Sequence, residues 1–461
     1  MIKKGIHLYI NFMNFNRVVN SEISKDKKCS QLFYAIDLML TEIEKYIKNK
    51  YSSCVYIEKI AGSRIHCVID ENQNMGKQMI EVVDLSFSLI NVINHSLKKT
   101  ETLDDLVINM GADFGKYNPY EITFVDPAED NSIGFPANIG AKLQEQAKPF
   151  QLVITKEVYN QLLPQISVKF RKMDSNSIRL DVKYGVGKTF FVYTKESNKF
   201  LNESFDFLKE QEEIGARFGT TIDNFAINNS RRILESINLK DNVPGEYKIE
   251  NSAVLYCDIR GFTKKFASDG SNLKIMAVKT MESLEKMNDS TSSYRLTHIQ
   301  FQGDRDLAIM MSSQSISQAI SCAFSMIDSF KKHADKDDIL RDMTVGIGIA
   351  YGTYYYAKVG MRGSKDPLLI GMPPIYAEIA EDKYAVSANS IALHKDYYDA
   401  AIKSPNKAFV QTIKDVFIRK DDYYVLRENV DSNEYSKHYR DNQIKMNANN
   451  QNQNGAKPWR P

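Results

Sequence analysis

The feature that most constrains the fold of this 461-residue chain is an order of predicted elements that occurs twice. In the first half, residues 5–15 are predicted to form a strand, residues 55–69 a hairpin, residues 79–97 a helix and residues 106–111 another strand. Before the hairpin, apolar residues recur at helical spacing, namely Leu32, Phe33, Ile36, Met39, Leu40, Ile43 and Ile47. The order strand, helix, hairpin, helix, strand is found again from residue 252 onward. The sequence therefore predicts an α+β protein with an internal repeat.

Composition excludes several classes of function. Sixty basic residues stand against fifty-eight acidic ones, and no block is basic enough to predict nucleic-acid binding. No window of eighteen residues is continuously apolar, so no membrane span is predicted. The five cysteines form no Cys-x-x-Cys pair and lie in apolar surroundings, which predicts reduced thiols and a cytoplasmic protein.

Two acidic residues of the second half are predicted to converge. Val254, Leu255 and Tyr256 are typical of a buried strand, and Asp258 lies at its end, just before the turn at Gly261. Asp304 lies at the tip of a predicted hairpin, directly after a glycine. Two carboxylates at one point repel each other unless one is protonated or cations lie between them, and paired cations are used to move phosphoryl groups. Arg260 is the alternative partner for Asp258.

These two acidic positions carry a family resemblance. The sequence Asp-Ile-Arg-Gly-Phe-Thr at 258–263, with the Gly-Asp pair at 303–304, resembles the catalytic domain of class III nucleotidyl cyclases. The resemblance implies two ferredoxin-like βαββαβ domains. It also implies two divalent cations, Mg²⁺ or Mn²⁺, bound by Asp258, Asp304 and the carbonyl of Ile259. The plainer interpretation is a turn aspartate beside an ion-paired aspartate at a strand end.

The same resemblance implies groups for the phosphates of a nucleotide. Backbone amides of the turn after the first strand, including those of Phe262 and Thr263, would bind the leaving pyrophosphate, because such a turn leads into a helix. Lys183 or Lys188 would contact the β- and γ-phosphates. An ordinary solvated lysine is the plainer interpretation of either residue.

The two halves differ at the positions that carry chemistry. When the halves are aligned, Asn11 falls at the position of Asp258 and Ser63 at that of Asp304, so the first half lacks both metal carboxylates. The first half instead has Asn138. This residue resembles the asparagine of a cyclase signature in which glycine is followed four residues later by asparagine and four after that by arginine.

Lys142 takes the place of that arginine. Asn138 and Lys142 are one turn apart on a helix predicted to begin near Pro136, and the resemblance implies that they orient the ribose and stabilise the transition state. An exposed polar helix face would show the same spacing. In the second half the two positions are Ile375 and Ile379, which have no polar group.

The losses in the two halves are therefore complementary, and the resemblance implies that the halves form one active site as an intramolecular pseudo-heterodimer. The paired halves of membrane-bound adenylate cyclases are similar but stand in the opposite order. The chain is predicted to act as a monomer of this kind or as a homodimer. The predicted divisions are a first cyclase domain, a helical connector, a second cyclase domain and a disordered Asn- and Gln-rich tail, over 1–200, 201–245, 246–430 and 431–461.

The base pocket is predicted from two positions of the first half. In the family, a lysine and an aspartate read adenine, and Lys59 and Asn131 occupy those places here. Lysine donates to a ring acceptor, and asparagine accepts from an exocyclic amine. Adenine and cytosine both present that pair, whereas uracil and guanine present a donor at the ring nitrogen.

The predicted activity is conversion of a nucleoside triphosphate to a 3′,5′-cyclic nucleotide and pyrophosphate. The tandem architecture also resembles the pyrimidine cyclases of bacterial Pycsar anti-phage systems, whose product triggers a separate effector that responds to the cyclic nucleotide. This favours CTP and cCMP, then UTP and cUMP, as substrate and product. The alternatives are an adenylate cyclase, a catalytically dead nucleotide-binding sensor and a pure scaffold.

Overall fold

The computed structural model of the protein describes residues 1–15, 17–18, 27–51, 53–98, 105–125, 128–174, 178, 188–195, 199–228, 247–261, 272–294, 296–310, 314–360 and 366–455. The chain divides into two compact units. The first consists of Met1–Ile249, Thr263–Val278 and Tyr355–Gly371. The second consists of Glu250–Phe262, Lys279–Tyr354 and Met372–Pro461. The first unit thus combines the first half of the sequence with two short segments of the second half.

The first half of the sequence forms one mixed sheet with helices. Its described strands are β1 (Lys3–Phe12), β2 (Val55–Ala61), β3 (Arg64–Asp70), β4 (Ile108–Ile122), β5 (Glu129–Gly134), β6 (Gln151–Thr155), β7 (Arg171–Lys172) and β8 (Phe190–Thr194). Its described helices are α1 (Lys27–Tyr51), α2 (Met75–Lys98), α3 (Phe135–Gln146), α4 (Lys156–Tyr159), α5 (Pro164–Ser167) and α6 (Phe205–Asn228). The strand order is β2-β3-β1-β4-β6-β8-β7, and β5 pairs with β4.

The second half of the sequence repeats this arrangement. Its described strands are β9 (Tyr247–Arg260), β10 (Leu296–Gln302), β11 (Arg305–Met310), β12 (Thr344–Val359), β13 (Asp366–Gly371), β14 (Ser390–His394), β15 (Phe417–Lys420) and β16 (Tyr423–Leu426). Its described helices are α7 (Leu273–Thr291), α8 (Ser315–Ala334), α9 (Met372–Ile379), α10 (Lys395–Ala401), α11 (Lys407–Val416) and α12 (Ser432–Gly455). The order β10-β11-β9-β12-β14-β16-β15, with β13 on β12, matches that of the first sheet strand for strand. The predicted repeat is confirmed.

The strand registers show which residues of the two halves correspond. Asn11 pairs with Arg64 across β1 and β3, and Asp258 pairs with Arg305 across β9 and β11. Both hairpins also have an irregularity at the same point of their first strand, just before Lys59 in one and Gln300 in the other. An extra residue in one strand shifts the pairing of every later residue in that strand. Because both hairpins have the irregularity at the same point, the two halves can be aligned there residue by residue. Asn11 therefore corresponds to Asp258.

The core of the first unit explains why β1 is a central strand. Ile6, Leu8 and Ile10 alternate along β1 and are completely buried. Each such side chain stabilises the fold by about 1.5–3 kcal/mol relative to an exposed one. The residues between them, His7 and Tyr9, face the other side of the sheet, where α3 crosses β1. The apolar face of β1 thus belongs to the core of the first unit, and its other face packs against α3.

Helix α6 lies within the predicted connector and packs against the first unit. Gly219 allows close approach, because a Cβ at this position would lie 3.3 Å from the side chain of Val92 in α2. An ion pair joins Arg217 to Glu42 in α1 at 2.5 Å. The sequence beyond Asn228, to residue 246, lies outside the described residues. No described helix is both long and apolar enough to cross a membrane.

The prediction of a disordered tail over 431–461 is wrong for most of that segment, because α12 occupies Ser432–Gly455. Tyr435 is buried, with its ring 5.0 Å from that of Phe324. The side-chain amide of Asn442 donates to Asp415 at 2.9 Å. Asn-rich composition predicts disorder when nothing anchors the segment. Here a buried tyrosine and a buried amide anchor the helix to its neighbours.

Candidate functional site

The two predicted metal carboxylates lie at the same end of β9 and β11. Asp258 is near the end of β9, and Asp304 follows Gly303 in the turn that leads into β11. Gly303 has a φ of 67°, which glycine adopts without strain. The backbone N–H of Ile259 donates to the carbonyl of Asp304 at 3.3 Å. The structure therefore brings Asp258, Ile259 and Asp304 together.

The electrostatic surroundings of Cys257 support this convergence. Burial raises the pKa of the Cys257 thiol well above its usual value, and the carboxylates of Asp306, Asp258, Glu381 and Asp304 raise it further. Asp258 and Asp304 thus act on the same buried point. Such a concentration of negative charge requires cations nearby.

Arg305 is the cation that contacts Asp258. Its Nε donates to Asp258 Oδ1 at 3.2 Å, and its guanidinium lies 3.9 Å from Glu378. The alternative partner, Arg260, does not take this role, because it binds Glu381. Sequence analysis missed Arg305, although it directly follows Asp304 and must lie opposite Asp258 once β11 pairs with β9.

Arg260 joins the end of β9 to the residues that follow α9. Its guanidinium donates to the Glu381 carboxylate at 2.6 Å and to the Glu381 carbonyl at 2.5 Å. The Arg260 side chain crosses β12 at Gly346, where a Cβ would lie only 2.4 Å from Arg260 Nε. Burial and the neighbouring Asp258 raise the pKa of Glu381 to about 8, whereas Arg305 and Arg260 oppose the shift. Arg260 therefore joins the end of β9 to Glu381.

Asn138 and Lys142 lie on α3 of the first half, half-buried and one turn apart as predicted. Lys142 Nζ forms an ion pair with Glu145 at 3.2 Å. The equivalent residues of the second half, Ile375 and Ile379, lie on α9. Both helices cross a sheet at a glycine. They do so at Gly111 and at Gly348, where a Cβ would lie 2.2 Å and 1.9 Å from helix backbone atoms.

The two predicted base-reading residues lie on β2 and β5. The Lys59 side chain is only 7% exposed, and its Nζ is 3.1 Å from Glu129 Oε2. Asn131 is buried, and its side-chain carbonyl accepts the N–H of Ser132 at 3.1 Å. Glu129 and Asn131 are two residues apart on β5 and therefore share a face. Sequence analysis missed Glu129 as the partner of Lys59.

Three predicted residues, Phe262, Thr263 and Lys183, lie outside the described residues. The other lysine considered for the phosphates, Lys188, lies 3.6 Å from the buried carboxylate of Asp113. That carboxylate also accepts a hydrogen bond from Thr155 at 2.6 Å. In this structure Lys188 serves as a counter-charge inside the first unit.

The donor set at Asp258 and Asp304 is suited to hard cations. Two carboxylates and the Ile259 carbonyl are the oxygen ligands that Mg²⁺ prefers, with water and substrate phosphates completing the coordination. In the part of the chain that the structure describes, no group of three or more His, Cys, Asp or Glu residues is placed to hold a metal by itself. Arg305 occupies one oxygen of Asp258 and would compete with a cation there.

Comparison with solved structures places this geometry in a known fold. The crystal structure of a class III adenylyl cyclase-like ATP-binding protein from Pseudomonas aeruginosa matches with a TM-score of 0.70 at 19% sequence identity, over 95% of this chain and 90% of that chain. The fold is that of a class III cyclase-like protein. The expected architecture of two cyclase-like domains is therefore confirmed.

Two further solved structures are similar to part of this chain. The guanylyl cyclase Cya2 has 18% identity and a TM-score of 0.32, over 40% of this chain and 95% of that chain. The adenylyl cyclase CyaB from P. aeruginosa has 19% identity and a TM-score of 0.31, over 40% of this chain and 97% of that chain. No protein-family model matches the sequence, and no curated protein matches it significantly.

Proposed function

We propose that the protein is a nucleotidyl cyclase that converts a nucleoside triphosphate to a 3′,5′-cyclic nucleotide and pyrophosphate. The observation that carries the proposal is the meeting of Asp258 and Asp304 at one end of β9 and β11, in a chain whose fold resembles an adenylyl cyclase-like ATP-binding protein over 95% of its length. Paired carboxylates at one point are costly without cations, and phosphoryl chemistry uses cations in this way.

In the proposed reaction, the ribose 3′-oxygen forms a bond to the α-phosphorus while the bond to the bridging oxygen of the β-phosphate breaks. The 3′-hydroxyl loses its proton and pyrophosphate leaves. Asp258, Asp304 and the Ile259 carbonyl would hold Mg²⁺ or Mn²⁺, which supply charge neutralisation and a lowered pKa of the hydroxyl. Arg260 joins the end of β9 to Glu381.

The residues of α3 have the remaining roles in this proposal. Asn138 orients the ribose, and Lys142 stabilises the charge that develops on the α-phosphate. For this role Lys142 must leave its ion pair with Glu145. Both side chains of that pair are 34% exposed, so the pair is weak. A lysine is a point charge and lacks the two-pronged geometry of arginine, so we expect slow turnover.

For the base, we propose that Lys59 and Asn131 select a pyrimidine, CTP ahead of UTP, with ATP as the alternative. Phe262, Thr263 and Lys183 are proposed to contact the phosphates. The cyclic product would act on a separate effector, as in the anti-phage systems that the architecture resembles. The low exposure of Lys59 supports its part in this proposal, because a buried ammonium requires polar partners.

A second candidate function is favoured by one observation, the ion pair between Arg305 and Asp258. If Arg305 takes the place of a cation, the protein binds a nucleoside triphosphate and signals through that binding without cyclising it. The relative with a TM-score of 0.70 is described as an ATP-binding protein. A nucleotide sensor is therefore the competing function.

The experiment that separates these functions is incubation of the purified chain with each of the four nucleoside triphosphates and Mn²⁺, with products resolved by mass spectrometry. The control is Asp304→Asn, which removes one carboxylate charge. A cyclic nucleotide from the wild type and none from the variant is the expected result. Nucleotide binding without any cyclic product would support the sensor, and an absence of binding would contradict both functions.

A further inference from the structure

Strand β13 and the residues before it form an arm, defined here as Tyr355–Gly371, that comes from the second half of the sequence but belongs to the first unit. Apolar side chains of the arm join the core of that unit, namely Tyr355, Ala357, Val359, Leu368 and Ile370. The backbone N–H of Gly360 donates to Asp37 of α1 at 2.8 Å. The described residues of the arm are therefore anchored in the first unit.

The arm brings a carboxyl group, Asp366, next to Lys59. Strand β13 packs against β2, and the Asp366 carboxylate accepts the backbone N–H of Ile60, the residue after Lys59. Lys59 is the charge that most favours ionisation of Asp366, whereas Glu129 and Glu44 oppose it. Two carboxylates, Glu129 and Asp366, thus act on the ammonium group of Lys59.

This arrangement restricts the ammonium group of Lys59. An ammonium has three N–H donors. One is directed to Glu129 at 3.1 Å, and the negative charge of Asp366 attracts a second. A buried lysine whose ammonium is restrained by two carboxylates keeps a fixed orientation, which is what selective recognition of a ring acceptor requires.

We propose that Asp366 is a positioning residue that sets nucleobase selectivity by restraining Lys59 together with Glu129. This inference rests on the proposed nucleotide site. It assigns to the second half of the sequence a part in reading the base, through the arm. A fixed Lys59 accepts bases with a ring acceptor, cytosine and adenine, and rejects bases with a ring N–H, uracil and guanine.

The ionisation of Asp366 agrees with this role. Loss of solvent around the carboxyl group raises the pKa of Asp366 to about 7, with Lys59 opposing and Glu129 and Glu44 adding to the shift. Above this pH the carboxylate is charged and attracts Lys59, and below it the neutral acid does so only weakly. Selectivity is therefore expected to rise between pH 6 and pH 8.

The test measures binding of 3′-deoxy-CTP and 3′-deoxy-UTP, which lack the attacking hydroxyl and cannot cyclise. Asp366→Asn keeps the acceptor for Ile60 and removes the charge. We expect the ratio of the two Kd values to fall about tenfold in this variant, and its dependence on pH to disappear. The matched control is Asp338→Asn, the same change at an exposed residue that pairs with Arg341. Its ratio should equal that of the wild type.

Several outcomes would overturn the inference. One is an Asp366→Asn variant that keeps both the ratio and its pH dependence, and another is a wild type that binds both analogues equally at every pH. If the variant does not fold, the pH dependence of the wild type decides. Binding with selectivity but no cyclic product from ordinary triphosphates would contradict the cyclase function and leave this inference standing. A wild type that binds no nucleotide would contradict both.

Discussion

Single residues around Asp258 decide how its carboxylate is used. The ion pair with Arg305 is partly exposed and satisfies one carboxylate oxygen. The positive charge of Arg305 repels a cation that would bind Asp258. A change of Arg305 is therefore expected to change the metal affinity of the proposed site.

Replacing Arg305 by glutamine should strengthen Mn²⁺ binding, because Asp258 then lacks a competing cation. We expect Kd for Mn²⁺, measured by calorimetry with a 3′-deoxy nucleotide present, to fall about fivefold to tenfold. Arg341→Gln is the control, since Arg341 pairs with Asp338 at the surface. Unchanged or weaker Mn²⁺ binding in Arg305→Gln would show that Arg305 does not compete for Asp258.

A buried histidine predicts how stability depends on pH. Burial and the neighbouring His66 lower the pKa of His7 to about 3, although Glu58 opposes the shift. Unfolded His7 binds a proton near pH 6.5, whereas folded His7 does not until about pH 3, so stability falls as pH decreases through that window. The loss from His7 is about 2 kcal/mol between pH 7 and pH 5.

The variant His7→Gln removes this titration and should have a smaller loss of unfolding free energy between pH 7 and pH 5. Urea denaturation of both proteins at the two pH values measures the difference. An identical loss in wild type and variant would mean that another group causes the acid sensitivity.

At the scale of elements, the sequence predicts most of what depends on local signals. The strand before Asp258 and the turn at Gly303 follow from an apolar run and a glycine, and both are present. The partners Arg305 and Asp366 do not follow in the same way. Their roles depend on which strands pair or pack, and pairing over long sequence separations leaves no local pattern.

Helix α12 shows the opposite case, in which composition was misleading. Its Asn-rich sequence has little apolar character, yet one buried tyrosine anchors it. Tyr435→Ala should lower the free energy of unfolding by about 3 kcal/mol, since a buried aromatic ring is lost. Ile444→Ala on the same helix is the control. Its side chain is 67% exposed, so the change should be within about 0.5 kcal/mol. Equal effects in denaturant titration would contradict the packing described here.

At the scale of the whole molecule, the repeat has kept its fold in both halves while their chemical residues differ. The proposed metal carboxylates, Asp258 and Asp304, are in the second half, and the polar residues of α3, Asn138 and Lys142, are in the first. We propose that one chain supplies both sets to one reaction.

A mixing experiment tests whether one chain is sufficient. Chains with Asp258→Ala and chains with Lys142→Ala are each expected to be inactive. If a single chain supplies both sets of residues, an equimolar mixture should remain inactive in an assay of cyclic nucleotide formation. Activity restored on mixing would indicate that two chains combine, as in a homodimer.

The most direct measurement for the central claim is the initial rate of cyclic nucleotide formation, by mass spectrometry, in the wild type and in variants of each half. If both halves take part in one reaction, Asp258→Ala in the second half and Asn138→Ala in the first should each lower the rate at least a hundredfold, with unfolding transitions like that of the wild type. A wild-type rate in either variant would contradict the claim that both halves take part in one reaction.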